Sequence, residues 1–115
     1  MKKEIQNKIL TITIILAVIL ISFFSLTKTS SETDQEVIKC IGEKAILFVQ
    51  EGCPHCKTQE TYFGENLNFL TIVSCTTDWQ ECIDEEIKGT PSWIIGGKKY
   101  TGVQSIEKLR ELTGC

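Results

Sequence analysis

Two cysteines stand two residues apart in the run Gly52-Cys53-Pro54-His55-Cys56-Lys57. A continuous apolar segment, Ala45-Ile46-Leu47-Phe48-Val49, precedes them, and the residues that follow read as a helix. That placement puts Cys53 at or near a helix N-terminus. Unpaired backbone N–H groups and the positive end of the helix dipole favour a thiolate over a thiol there. A thiolate is the attacking species in disulfide exchange, and Cys56 is close enough to close the ring and release a mixed disulfide. His55, when protonated, adds a second stabiliser of the anion. Pro54 suits the first helical turn, where its missing N–H costs nothing. The chemistry these residues could do is thiol–disulfide exchange.

A Cys-x-x-Cys pair has two other uses. Half of a zinc site usually comes with a second Cys/His pair at similar tight spacing. Here Cys75 and Cys82 are seven apart, and the sole histidine, His55, lies inside the motif itself. A purely structural disulfide across two intervening residues is easily reduced and stabilises poorly. The redox use fits best, with no metal.

At 115 residues the chain holds one small domain and an N-terminal extension. Ile9 to Leu26 is an uncharged stretch of 18 residues, roughly 27 Å long as a helix and near the thickness of a hydrocarbon core. Lys2, Lys3 and Lys8 precede it and only Lys28 follows closely. The positive-inside rule then keeps residues 1–8 in the cytoplasm and exports the rest. A cleavable signal peptide is the rival: Thr29-Ser30-Ser31 are small, but the apolar run is long for one and no Ala-x-Ala site follows. The expected organisation is a cytoplasmic N-terminus (1–8), an anchor or signal peptide (9–26), a polar tether (27–34) and a domain (35–115).

Beyond residue 27 the chain carries nine Lys/Arg and fourteen Asp/Glu, a net charge of −5. No basic patch meets phosphates, so nucleic acid is excluded as a partner. About 80 residues bury only a modest core, which cross-links would support. Six cysteines in this part fit an oxidising compartment. With Cys53 and Cys56 set aside, Cys40, Cys75, Cys82 and Cys115 allow three pairings, and spacing does not choose among them.

Val37, Ile38 and Ile41 predict a helix from Asp34 to Lys44, and Ala45–Gln50 a strand buried on both faces. The helix opened by Pro54 should run to about Asn66, with Gly64 a weak point. Phe69–Ser74 reads as a second strand. Thr77 or Asp78 caps a helix reaching Ile87, with Trp79, Cys82, Ile83 and Ile87 as its apolar positions. Gly89-Thr90-Pro91-Ser92 breaks the chain before a third strand, Trp93–Ile95. Gly96-Gly97 turns it into an antiparallel partner, Lys98–Gly102. Ser105 caps a last helix with Ile106, Leu109 and Leu112 inward, ended by Gly114.

This order resembles the thioredoxin fold: α/β, a central mixed sheet of four strands or fewer flanked by helices, here preceded by one transmembrane helix. More narrowly, three pieces resemble the thioredoxin-like domains that accompany vitamin K epoxide reductase homologues. They are Gly52-Cys53-Pro54-His55-Cys56 with Tyr62-Phe63-Gly64, then Lys88-Gly89-Thr90-Pro91-Ser92-Trp93-Ile94-Ile95, then Tyr100-Thr101-Gly102 with Leu109 to Cys115. The resemblance covers residues 40–115. It implies that Cys53 is the exposed nucleophile and Cys56 the resolving thiol. It implies that Pro91 is a cis-proline beside the active disulfide and that Thr90 gives backbone hydrogen bonds to a substrate strand. Trp93 matches an aromatic that either fills the core or touches a partner. Cys75–Cys82 and Cys40–Cys115 are implied disulfides, with a redox relay as the alternative for the first. No cofactor is implied.

Two positions depart from the thioredoxin pattern. Gly52, not an aromatic, precedes the first cysteine, and Leu47 stands where many thioredoxins bury an acid. Removing a proton from Cys56 then falls to water or to Glu51, which otherwise reads as a solvated loop charge. Pro-His between the cysteines favours an oxidant, because stabilising the Cys53 thiolate stabilises the reduced form. Strong oxidants lie near about −120 mV against about −270 mV for thioredoxin, roughly 7 kcal/mol for two electrons. The expected reaction is thus oxidation of exported polypeptide thiols, followed by reoxidation by a membrane quinone reductase resembling vitamin K epoxide reductase. A membrane-tethered reductase or isomerase would use the same motif. A non-enzymatic module would use the Thr90-Pro91 groove or the thiols to hold a peptide or metal.

Overall fold

The structure, a computed structural model, describes residues 1–27 and 29–115, the side chains of residues 26–33 excepted. The side chains of the expected tether (27–34) and of Thr29-Ser30-Ser31 therefore lie almost wholly outside the described residues. The chain divides into two compact units, Met1–Asp34 and Gln35–Cys115.

The first unit contains helix α1 (Lys2–Thr27). Ile9, Leu10, Ile12, Ile14, Leu16 and Ile19 are all more than half exposed on it. A helix apolar on every side has no aqueous face to present. By length and composition, Lys2–Ser25 could cross a membrane.

Helix α2 (Thr29–Lys44) begins earlier than the apolar spacing alone predicts. Strand β1 (Ala45–Val49) follows it without a loop. Next come α3 (Pro54–Thr61), a 3₁₀ turn over Gly64–Phe69, β2 (Thr71–Ser74), α4 (Trp79–Asp84), the hairpin β3 (Ser92–Ile95) and β4 (Lys98–Thr101), and α5 (Ile106–Thr113). The sheet order is β2-β1-β3-β4. β1 pairs parallel with β2 and antiparallel with β3, and β3 pairs antiparallel with β4. The fold is thioredoxin-like.

Strand alternation divides the core between the sheet's two faces. Leu47, Val49, Trp93 and Ile95 pack with Ile38, Ile41, Cys56, Phe63 and Leu109 on one side. Phe48 packs with Val73 and Cys82 on the other, with Ile46 and Ile94 alongside. Trp93 is fully buried, its ring 6.0 Å from that of Phe63, so it is a core residue and not a partner contact.

Three elements end differently from the sequence expectation. α3 stops at Thr61, not near Asn66, because Gly64 takes a left-handed φ of 52° and the chain tightens into the 3₁₀ turn. β2 accordingly starts at Thr71 and not at Phe69. α4 ends at Asp84, short of Ile87: Ile87 N–H donates to the Cys82 carbonyl at 2.8 Å while Glu86 adopts φ 52°, a left-handed helix stop. Cys82 alone of α4 is buried, while Trp79 and Ile83 are about 60% exposed, 59% and 60% respectively. Asp78 occupies the N-cap position of α4 but makes no capping bond, and its carboxylate accepts from Thr77 Oγ1 at 2.9 Å instead. At α5 the cap is as the sequence predicts: Ser105 Oγ accepts from Lys108 N–H at 3.1 Å, and Gly114 closes the helix.

Helix α2 crosses the end of the 3₁₀ turn at Gly42, where a Cβ would collide with the Phe69 carbonyl. Alanine is intrinsically better than glycine in a helix by about 1 kcal/mol. The collision is with backbone, which cannot rotate away, so overpacking wins. Gly42→Ala is expected to destabilise by about 2 kcal/mol net, read as a lower urea midpoint at unchanged slope.

Candidate functional site

The sheet register brings the site together. β1 and β2 are parallel with Val49 opposite Ser74, so the loops leaving their C-terminal ends meet. Cys75 N–H donates to the Val49 carbonyl at 2.8 Å and Glu51 N–H donates to Thr76 Oγ1 at 2.9 Å. β3 starts at Ser92 opposite Phe48, which sets Pro91 beside the same end of β1. The Thr90–Pro91 peptide is cis. Ser92 Oγ donates to the Gly89 carbonyl at 2.6 Å and Gly102 N–H donates to the Pro91 carbonyl at 2.8 Å. The loop is thus bonded on both sides of the proline.

Cys53 is the N-cap of α3, with Pro54 in its first turn. It is bonded to Cys56, their Cα atoms 5.3 Å apart. Cys53 Sγ accepts from Cys56 N–H at 3.1 Å and from Thr90 Oγ1 at 3.5 Å. Two donors on one sulfur, at a helix N-terminus, stabilise a thiolate once the bond is reduced. The Thr90 carbonyl oxygen also lies 3.5 Å from that sulfur. The two cysteines differ in access: Cys53 is half-buried, while Cys56 is 2% exposed. Pro54 and His55 face solvent. A group approaching from solvent therefore meets Cys53 before Cys56.

The other cysteines are also paired. Cys40 on α2 is bonded to Cys115, Cα atoms 6.0 Å apart, and Cys75 to Cys82, 5.7 Å apart. Leu47, at the position where an acid is common, is fully buried. Glu51 is exposed and its backbone is held by Thr76, as a loop charge would be. An open cleft of about 370 Å³ flanks the disulfide, bordered by Glu51, Cys53, Cys56, Lys57 and Glu60.

One site residue escaped the sequence reading. Gln59, on α3, is fully buried and bonded to Trp93 and Gln104. The signal was its spacing: three residues after Cys56, it shares the inward face in a helix otherwise rich in polar residues.

No protein-family model matches the chain. Thiol-disulfide oxidoreductase LTO1 of Arabidopsis thaliana is 35% identical over 71 residues, 54% of this chain and 19% of that protein. The chain thus spans about a fifth of that relative's length. Among solved structures, a thioredoxin from Aeropyrum pernix aligns over 68% of this chain and 82% of its own, at 18% identity and a TM-score of 0.42. Strand order and the loop at Pro91, not this alignment, carry the fold.

Proposed function

We propose that the protein is a membrane-anchored thiol–disulfide oxidoreductase that oxidises the thiols of exported polypeptides through Cys53–Cys56. The observation that carries the reading is the disulfide itself. It sits at a helix N-cap beside a cis-proline loop, one sulfur accessible and the other buried. The similarity to a thiol-disulfide oxidoreductase supports the same reaction class.

A client thiolate attacks Cys53 Sγ, the Cys53–Cys56 bond breaks, and Cys56 leaves as a thiolate that takes a proton from water. A second client thiolate then attacks the client sulfur of the mixed disulfide and releases Cys53 as a thiolate. The client loses two electrons, its two thiol protons pass to water, and the protein ends reduced, with Cys56 as a thiol and Cys53 as a thiolate. The client strand would be held by Thr90, which is half-buried and contacts Cys53 Sγ, with the buried Pro91 behind it. Restoring the disulfide needs a two-electron acceptor, for which we propose a membrane quinone reductase resembling vitamin K epoxide reductase. Helix α1, spanning the membrane with Lys2, Lys3 and Lys8 on the cytoplasmic side, would confine both partners to one surface and raise their effective concentration.

Equilibration with glutathione tests the direction. A Cys53–Cys56 potential above about −200 mV is expected. A value below about −240 mV would overturn the oxidant reading in favour of a reductase.

A further inference from the structure

We infer that Gln59 is a positioning residue for the exchange site: its buried amide locks the Cys56 helix to the strand beyond the cis-proline, keeping Thr90 Oγ1 on the Cys53 sulfur. The inference rests on the exchange reading above. Gln59 Oε1 accepts from Trp93 Nε1 at 3.0 Å and from Gln104 N–H at 2.7 Å, and Nε2 donates to the Gln104 carbonyl at 2.9 Å. Two donors converge on one oxygen and one acceptor faces the nitrogen, so only one amide orientation is possible.

The partners are the parts that frame the sulfur. Trp93 lies two residues beyond Pro91 in β3. Gln104 lies two residues beyond Gly102, whose N–H holds the Pro91 carbonyl. Pro91, Ser92, Trp93 and Gln59 are all fully buried or nearly so. One amide therefore ties α3 to both segments that carry the proline loop. Burying an amide is costly unless every group on it is bonded, and here each bonded group leads to the frame of the site. The contact that depends on this frame spans two elements: Thr90 Oγ1 donates to Cys53 Sγ at 3.5 Å, so a displacement of α3 against the proline loop weakens it.

The test separates positioning from mere stabilisation. Gln59→Met is unbranched, uncharged and of similar length, and removes all three hydrogen bonds. It is expected to move the thiolate titration of reduced Cys53 to higher pH. The equilibrium constant for oxidising glutathione should fall about tenfold, the weight of one hydrogen bond to a charged atom. Thr90→Val should do the same, and the double variant should go no further than either. A lower melting temperature with titration and equilibrium constant unchanged overturns the inference, as do additive effects in the double variant. Should Gln59→Met fail to fold, Trp93→Phe removes one donor and keeps a ring; it is expected to give smaller shifts of the same sign, and no shift overturns the inference. Wild-type protein that never equilibrates with glutathione sinks the exchange reading and this inference together. Wild type that does, with variants that match it, sinks the inference alone.

Discussion

A Cys53→Ser variant is expected to lose all thiol–disulfide exchange, its rate falling to the uncatalysed background in a client-oxidation assay. A serine hydroxyl neither forms the disulfide nor ionises at neutral pH, so the hydrogen bonds from Cys56 N–H and Thr90 Oγ1 have no anion to stabilise. Cys56→Ser should behave differently. The accessible sulfur still captures a client, but the displacing thiol is gone, and mixed disulfides accumulate that non-reducing electrophoresis reveals. Replacing Cys75 and Cys82 together should leave the exchange rate near wild type, since their bond fastens α4 to the end of β2 and not to a client. Wild-type activity in Cys53→Ser would mean the protein binds thiols or peptides without exchanging them. Loss of activity in the Cys75/Cys82 pair, with the fold intact, would make that bond a second redox centre.

The second large effect is on stability. Cys40–Cys115 closes a loop of 75 residues in sequence, against seven for Cys75–Cys82. In the chain-entropy account the long loop contributes about 4.5 kcal/mol and the short one about 2.5 kcal/mol. A domain of this size has roughly 5–15 kcal/mol in total. Cys40→Ala with Cys115→Ala is thus expected to lower the melting temperature by about 20 °C. The same bond holds α2 against the end of α5, where Lys44 Nζ also donates to the Thr113 carbonyl at 3.2 Å. A loss below about 1 kcal/mol in urea unfolding would show that packing of Ile38, Ile41 and Leu109 keeps those helices together without it.

Much of this architecture was legible in the residues. A continuous apolar run marked β1, Gly96-Gly97 the hairpin of β3 and β4, and Ser105 with Gly114 the limits of the last helix. A proline one residue after Cys53 placed that sulfur at a helix start. What stayed hidden depends on through-space geometry. Trp79 and Ile83 have the spacing of a buried stripe, yet the bond from Cys82 to Cys75 decides which face of α4 turns inward and leaves them in solvent. Gln59 looks like surface in a polar segment, and its amide has a reason to be buried only through partners far along the chain, the indole of Trp93 and the backbone of Gln104. The stop at Thr61 turned on how one glycine was used, which propensity marks as weak without saying where the chain bends.

The unequal access to the two sulfurs has a consequence for survival in an oxidising environment. Peroxide reaching the reduced protein meets Cys53 first and converts it to a sulfenic acid, with loss of water. Cys56, sheltered beneath it, condenses with that group, expelling a second water and regenerating the working disulfide. On the proposed exchange reading, damage that would advance irreversibly on an isolated thiol would be returned to the disulfide form.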